Sequence, residues 1–132
     1  VIPSWCRQVA LLSAKKENGN IIVGNIDVYR DFSDVRDVVR AYRMILESEK
    51  SKTTYNVGSG KATKLKDILG YIVSLSSCKI SIEIDPSLVR NGENAKIYCC
   101  NELIRKDLGW HPQYDISDTV KDIYEYYYNM FT

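Results

Sequence analysis

The sequence alternates helical stripes of apolar residues with short β-prone runs, and this alternation constrains the fold most strongly. In five segments, apolar residues recur every three or four positions, which is typical of helices that turn one face toward a core. Between these segments lie short runs rich in β-branched residues. Segments of both kinds along one chain predict a compact α/β fold.

The helical stripes have recognisable ends. The first helix ends near Lys16, and the clearest helix runs from Asp34 to about Ser48 with Ser33 or Asp34 as its N-cap. Gly109 closes a two-turn helix, NELIRKDLG. The apolar stripes of the four remaining helices, apart from the one that Gly109 closes, are in chain order Ile2, Trp5, Cys6, Val9 and Leu12; Val35, Val38, Val39, Tyr42, Ile45 and Leu46; Leu65, Ile68, Leu69, Ile72 and Val73; Ile116, Val120, Ile123, Tyr124, Tyr127 and Met130.

Four short segments are predicted to be extended. In one of them, KISIEID, isoleucines alternate with polar residues as in a half-buried strand, and Pro86 ends it. The four segments are residues 20–25, 53–57, 79–85 and 95–101. The total is about five helices and three or four short strands in residues 1–132, which we expect to form a single domain.

Composition excludes several classes of function. The 132 residues are 45% hydrophobic, as in a globular domain, and the net charge of +1 provides no general attraction for nucleic acid or an anionic membrane. The apolar runs are too short to cross a membrane, and the first sixteen residues are too polar for a signal peptide, so we expect a cytoplasmic location. The four cysteines show no C-x-x-C spacing and are interpreted as reduced thiols. One histidine, His111, makes a metal site improbable.

A glycine turn in residues 53–65, TTYNVGSGKATKL, raises the question of a phosphate-binding loop. A P-loop would need a glycine at Tyr55 and a hydroxyl at Ala62, and a dinucleotide fingerprint would need its third glycine at Thr63. We therefore interpret the turn as structural, with Gly58 and Gly60 joining a strand to a helix and the Thr63 hydroxyl capping a helix that begins at Lys64.

Two arginines are candidates for anion recognition. Arg30 and Arg90 both lie in loops beside strand-like residues rather than on a helix surface. A guanidinium is suited to bidentate contact with phosphate. The alternative, an arginine that is solvated or paired with an aspartate, stays open from the residues alone.

Four blocks along the chain resemble one enzyme family. They are VGNIDVYRDFSDVRDVVRAY, YNVGSGKATKLKDIL, DPSLVRNGE and IRKDLGWHPQYDISDTVKDIYEYY, and the resemblance that they carry covers the chain from end to end. In order and approximate spacing they resemble the C-terminal part of extended short-chain dehydrogenases/reductases that act on nucleotide sugars. The resemblance is to the branch of GDP-mannose 4,6-dehydratases and GDP-4-keto-6-deoxymannose reductases.

The resemblance implies a two-domain parent enzyme. In such enzymes an N-terminal Rossmann half binds NAD(P) and carries a catalytic Tyr-x-x-x-Lys pair, and the C-terminal half closes over the substrate. No tyrosine in this chain is followed four residues later by lysine, and no complete dinucleotide fingerprint is present. We therefore expect a substrate-binding fragment that contains no catalytic residue, cofactor site or metal site and is inactive alone, with NAD(P) belonging to the parent enzyme.

The resemblance also implies roles for individual residues. The family's phosphate-contacting arginines match Arg30 and Arg90, and an acidic position matches Glu93. The proline that usually follows the second arginine is replaced by Asn91, which leaves that loop less rigid. Three further positions, Val1, Ser4 and Asn25, match residues that line the nucleotide pocket.

The implied partners are a nucleotide sugar and the Rossmann half. A stand-alone, non-catalytic binding or interaction module on the same fold is the alternative. If the Rossmann half is missing, the first helix, with Trp5 and Val9, is predicted to expose an apolar patch that favours self-association.

Overall fold

A computed structural model describes residues 1–49, 54–89 and 92–132. Within these residues the chain forms five α-helices, four short strands and one 3₁₀ turn. The helices are α1 (Ile2–Lys15), α2 (Val35–Glu47), α3 (Leu65–Ser74), α4 (Glu102–Leu108) and α5 (Ile116–Phe131); the strands are β1 (Gly19–Val23), β2 (Tyr29–Arg30), β3 (Thr63–Lys64) and β4 (Ile80–Ile84); the 3₁₀ turn is Pro86–Leu88. The predicted α/β class, with about five helices and three or four short strands, is confirmed.

The described residues group into two compact units. The first unit comprises Val1–Val28, Lys64–Ala95 and Ser117–Thr132, and the second comprises Tyr29–Thr63 and Lys96–Ile116. Strands β1 and β4 form one two-stranded sheet, and β2 and β3 form another. The prediction that the chain is a single substrate domain stays a prediction.

A parallel strand pair and three helices build the first unit. Strand β1 pairs with β4 in register from Gly19 opposite Ile80 to Val23 opposite Ile84. Helix α1 packs against β1 and α3. The Gln8 side chain fixes this packing, because its amide donates to the Ile22 carbonyl oxygen and accepts from the Ile22 amide at 3.2 and 2.9 Å.

The prediction that α1 exposes an apolar patch is wrong. Trp5 and Val9 are buried, because the same face of α1 that carries them packs on β1 and α3. The exposed apolar stripe lies on α2 instead. Its members, with their exposed fractions, are Val35 at 70%, Val39 at 57%, Tyr42 at 58% and Leu46 at 84%. The prediction that these four residues belong to the core is therefore wrong. Asp37 and Ala41 form the buried side of the helix.

Strand β4 forms as predicted, but its predicted burial is wrong. Ile82 and Ile84 are exposed, although their partners on β1, Ile21 and Val23, are buried. Strand β4 pairs with β1, and β1 in turn packs against helix α1. An apolar-polar alternation gives the two faces of a strand but does not show whether either face is covered.

The predicted strand at residues 53–57 is wrong where the structure describes it. Residue 53 lies outside the described residues, and residues 54–57 are irregular. A strand is stabilised by pairing with a neighbour, and none of the described strands pairs with this segment. The predicted extended segment 95–101 is likewise reduced to one bridge, between Tyr29 and Lys96.

The start of α3 differs from its prediction. The helix begins at Leu65, and Thr63 lies in β3 and does not cap it. The first amides of the helix, those of Leu65 and Lys66, instead donate to the carbonyl oxygens of Val28 and Ile26, both at 3.0 Å. Backbone carbonyls therefore do what a cap side chain would do.

Two predicted helix ends are confirmed. The Asp34 carboxylate caps α2 by accepting from the Arg36 amide at 2.8 Å. Gly109 ends α4 in the left-handed conformation, with φ of 67°.

Among the described residues, no helix is long and apolar enough to cross a membrane. All four cysteines are free thiols.

The buried carboxylate of Asp37 organises the second unit. It accepts from the Arg40 guanidinium at 2.7 Å and from the amides of Gln113 and Tyr114 at 3.0 and 3.1 Å. The Asp37 carbonyl oxygen accepts from the indole nitrogen of buried Trp110 at 3.0 Å. Burial by itself raises the pKa of Asp37, but these hydrogen bonds outweigh it and hold the pKa below its usual value. Asp37 therefore ties α2 to the segment that follows α4.

We expect Asp37→Asn to lower the free energy of unfolding by about 3 kcal/mol, because Arg40 loses its buried partner and one amide loses its acceptor. The matched control is Glu47→Gln, which breaks the exposed Arg43–Glu47 pair at 2.8 Å and should cost about 0.5 kcal/mol. Urea unfolding of both variants measures the difference. Equal losses would contradict the role given to Asp37.

Candidate functional site

A cleft of about 590 Å³ lies in the second unit. Three chain segments line it: residues 30–33 at the end of β2 and just beyond it, residues 56–58 at the glycine turn, and residues 97–100 before α4. The lining combines charged and hydroxyl groups, such as Arg30 and Ser33, with apolar surface from Val57 and Ile97. A cleft of this mixed character is suited to a polar ligand of moderate size.

Asp31 connects the three segments. One of its carboxylate oxygens accepts from the Ser59 amide at 2.9 Å and from the Ser59 hydroxyl at 2.5 Å. The other oxygen accepts from the amides of Gly60 and Cys99 at 2.9 and 3.0 Å. The carboxylate thus takes four hydrogen bonds, about the number that its lone pairs allow.

These bonds decide what the glycine turn does. A phosphate cradle must present backbone amides to its ligand, but the amides of Ser59 and Gly60 already donate to Asp31. Gly60 has φ of 77°, a conformation that favours glycine. These bonds support a structural role for the turn, although the strand before it and the Thr63 cap, which were predicted with it, are wrong. Amides that already donate to Asp31 do not fit the diphosphate of NAD(P) or ATP.

Gly58 allows the turn to approach residue 99 closely. A Cβ atom at position 58 would lie 2.4 Å from the Cys99 Cβ atom and 2.8 Å from its sulfur. The buried side chain of Asn101 holds the turn from the other side, because its Nδ2 donates to the Gly58 carbonyl oxygen at 2.8 Å. Burial, followed by the nearby charge of Asp31, raises the pKa of the Cys99 thiol, which therefore stays protonated at neutral pH.

Arg30 lies in the wall of the cleft, as the anion-binding hypothesis requires. It belongs to β2, is half-buried, and its Nη1 donates to the Tyr29 carbonyl oxygen at 2.7 Å. The other predicted phosphate-binding residue, Arg90, lies outside the described residues, as does Asn91. The predicted convergence of the two guanidinium groups therefore stays a prediction.

The first unit brings two other predicted site residues together. The Asn25 Nδ2 atom donates to a carboxylate oxygen of Glu93 at 3.2 Å, and the Asn25 Oδ1 atom accepts from the Asp27 amide at 3.0 Å. Val1 and Ser4 are exposed at the start of α1.

Sequence reasoning missed Asp31 and Asn101. The signal for Asp31 was its position directly after Arg30 in the RDF block.

No metal-binding cluster is found in the part of the chain that the structure describes, where no three His, Cys, Asp or Glu side chains are arranged to hold an ion. Burial raises the pKa of the Cys6 thiol to about 12, so this residue is an inert core thiol. The polar groups in the lining of the cleft include the Arg30 guanidinium, the hydroxyls of Ser33 and Tyr98 and the side-chain amide of Asn56.

Comparisons with known proteins agree on the fold. The solved structure of RMD from Pseudomonas aeruginosa, complexed with NADPH, matches with a TM-score of 0.88 and 28% identity over 98% of this chain and 42% of that chain. UDP-glucose 4-epimerase from Thermotoga maritima, with UDP-glucose, matches with a TM-score of 0.75 and 21% identity over 95% of this chain and 39% of that chain. The chain has the fold of part of an NAD-dependent epimerase/dehydratase of the short-chain dehydrogenase/reductase class.

Sequence comparisons give the family. The family model for GDP-mannose 4,6 dehydratase matches residues 2–123, and the chain belongs to this family. It is 30% identical to GDP-6-deoxy-D-mannose reductase of Pseudomonas aeruginosa over 93% of its own length, and 33% identical to CDP-abequose synthase of Salmonella typhimurium over 71%. The chain spans 40% and 33% of the lengths of these two relatives.

We expect Gly58→Ala to lower the free energy of unfolding by about 2 kcal/mol, because the added methyl group overlaps Cys99. Gly70→Ala is the control: Gly70 is exposed on α3 with no atom within 4 Å of the new methyl group, and the change should stabilise the helix by about 0.5 kcal/mol. Thermal and urea unfolding compare the two. A neutral effect of Gly58→Ala would show that the turn can move away from residue 99.

Proposed function

We propose that this chain binds the nucleoside-diphosphate part of a sugar nucleotide for an NAD(P)-dependent 4,6-dehydratase or 4-ketoreductase. The observation that carries the proposal is Arg30, half-buried in the wall of a 590 Å³ cleft in a member of the GDP-mannose 4,6-dehydratase family. The sugar nucleotide is GDP-mannose or its 4-keto-6-deoxy derivative, in keeping with the GDP-6-deoxy-D-mannose reductase relative.

In this proposal the negative charge of the diphosphate is the feature that the protein recognises. The diphosphate between nucleoside and sugar carries two negative charges, and charge-assisted hydrogen bonds from a guanidinium are among the strongest that a protein forms. The net charge of the chain is only +1, so recognition must come from local groups. Arg30 provides one such group, and we propose Arg90 as the second. The other residues that the family resemblance implies for substrate binding, Glu93, Asn25, Val1 and Ser4, stay proposals.

We propose that the chemistry belongs to a partner half. The relatives extend well beyond the 30–40% of their lengths that this chain spans, and the RMD relative is complexed with NADPH. In this proposal the unmatched part of such an enzyme holds the cofactor and the catalytic pair. Binding of the diphosphate here then orients the sugar toward the nicotinamide, and the chain alone has no turnover. The cytoplasmic location predicted from the sequence stays a prediction.

We expect Arg30→Gln to weaken the binding of GDP to the chain by about tenfold, since the loss of one charge-assisted contact costs roughly 1.5 kcal/mol. Lys61→Gln is the matched control, because it removes the same charge from the exposed lysine of the glycine turn and should leave the affinity unchanged. Isothermal titration or NMR titration with GDP measures both. Loss of binding in Lys61→Gln but not in Arg30→Gln would contradict the proposal and favour a phosphate-binding glycine turn.

A stand-alone interaction module is the second candidate function. One observation favours a protein partner, namely the exposed apolar stripe of α2, formed by Val35, Val39, Tyr42 and Leu46. Spacings of four, three and four residues are those of a helix that packs along another element. In this second candidate function the stripe is the contact surface for a protein partner, and copies of the chain associate through it.

We expect the chain to self-associate at high concentration and Leu46→Lys to weaken this association several-fold, because it places a charge in the stripe. Met130→Lys provides the control, since Met130 is an exposed apolar residue of α5 outside the stripe. Sedimentation velocity over a concentration series measures the assembly. A wild-type chain that stays monomeric, or equal effects of the two changes, would contradict the role of the stripe.

A further inference from the structure

We propose that Asp31 is a positioning residue for the anion contact of Arg30. This inference rests on the proposed function, and it gives a role to a residue for which the sequence provided none. Asp31 does not act on the ligand in this proposal. It holds the three segments that form the cleft in the arrangement that lets Arg30 meet a diphosphate.

The Asp31 carboxylate forms hydrogen bonds with residues that are distant from it in the sequence. Its four hydrogen bonds, at 2.5 to 3.0 Å, join the residue after Arg30 to Ser59, Gly60 and Cys99. The partners belong to the second and third segments of the cleft or lie directly beside them. One side chain therefore connects every part of the cleft wall.

The Asp31 carboxylate has almost no capacity left to accept further hydrogen bonds. Four donors use about all the acceptor capacity that a carboxylate has. A general base needs a lone pair for a substrate proton, and a metal ligand needs one for the ion. Asp31 has already committed both oxygens to the protein, so its role is to hold structure at the site and not to react.

Arg30 lies between Tyr29 and Asp31, and hydrogen bonds hold both of these neighbours in place. On one side, the Tyr29 carbonyl oxygen accepts from the Ile97 amide at 3.1 Å and also from the Arg30 guanidinium at 2.7 Å. On the other side, Asp31 is held by the bonds described above. The backbone at Arg30 is thus fixed from both directions, and a fixed backbone lowers the entropy lost when the side chain binds an anion.

The negative charge of Asp31 is balanced within the protein. An aspartate beside an anion site would repel a diphosphate if its charge were not balanced. Here three backbone amides and one hydroxyl point their positive ends at the carboxylate, which disperses its charge within the protein. The amides of the glycine turn therefore bind an anion of the protein itself, and recognition of a diphosphate is left to the Arg30 guanidinium in this proposal.

The experiment compares Asp31→Asn with the wild-type chain by NMR titration, with GDP and guanosine as probes. Asparagine keeps the shape but points an amide group at two of the four donors. We expect GDP affinity to fall about tenfold, as for the loss of one charge-assisted contact, and guanosine affinity to stay the same, since guanosine lacks the diphosphate. In the Arg30→Gln background, Asp31→Asn should cause no further loss, because it acts through Arg30.

The outcomes separate this inference from the proposed function. Wild-type chain that fails to bind GDP would overturn both. Wild-type chain that binds GDP while Asp31→Asn binds it equally well, or an equal further loss in the Arg30→Gln background, would overturn this inference alone. If Asp31→Asn does not fold, Ser59→Ala replaces it, since it removes the 2.5 Å hydroxyl bond to Asp31, together with the hydroxyl's local contacts with the Lys61 backbone, and keeps the carboxylate. We expect that variant to lose about threefold in GDP affinity, and unchanged affinity would overturn the inference.

Discussion

The second unit depends on carboxylates that accept hydrogen bonds from the protein's own backbone. Asp31 takes amides from the glycine turn and from residue 99, and Asp37 takes amides from residues 113 and 114. Both residues lie within seven positions of each other, on either side of the start of α2. Among the described residues of this unit few aliphatic side chains are buried: the buried cluster consists of Ala41, Ile104 and Trp110. Polar bonds between distant segments therefore supply much of what a larger apolar core would otherwise supply.

The sequence predicted features that are determined locally. The N-cap at Asp34 and the left-handed end at Gly109 depend on a few neighbouring residues, and both are observed. The structural role of the glycine turn was also predictable, because the missing P-loop positions can be read directly. The failures concern features that depend on partners distant in sequence. Whether residues 54–57 form a strand depends on a neighbouring strand, and whether Val39 or Ala41 is buried depends on which side of α2 another element covers.

The candidate site shows the same division. The arginine was found from its residue type and the block that contains it, and the structure places it in a cleft wall. Asp31 was not found, because nothing in a sequence shows that a carboxylate's acceptors are filled by amides 28 and 68 positions away. Asn25 and Glu93 were predicted separately and lie within hydrogen-bonding distance, although they are 68 positions apart. Family resemblance supplied these two positions, and the structure adds the hydrogen bond between them.

The way in which the two units share the chain has an evolutionary consequence. One unit is assembled from three separate stretches of sequence and the other from two, each interrupted by the other. Recombination that exchanges one continuous stretch of gene would therefore carry an incomplete part of either unit. Ancestors of this chain could vary the cleft residue by residue or inherit both units together, but they had no simple way to acquire one unit ready-made from another gene.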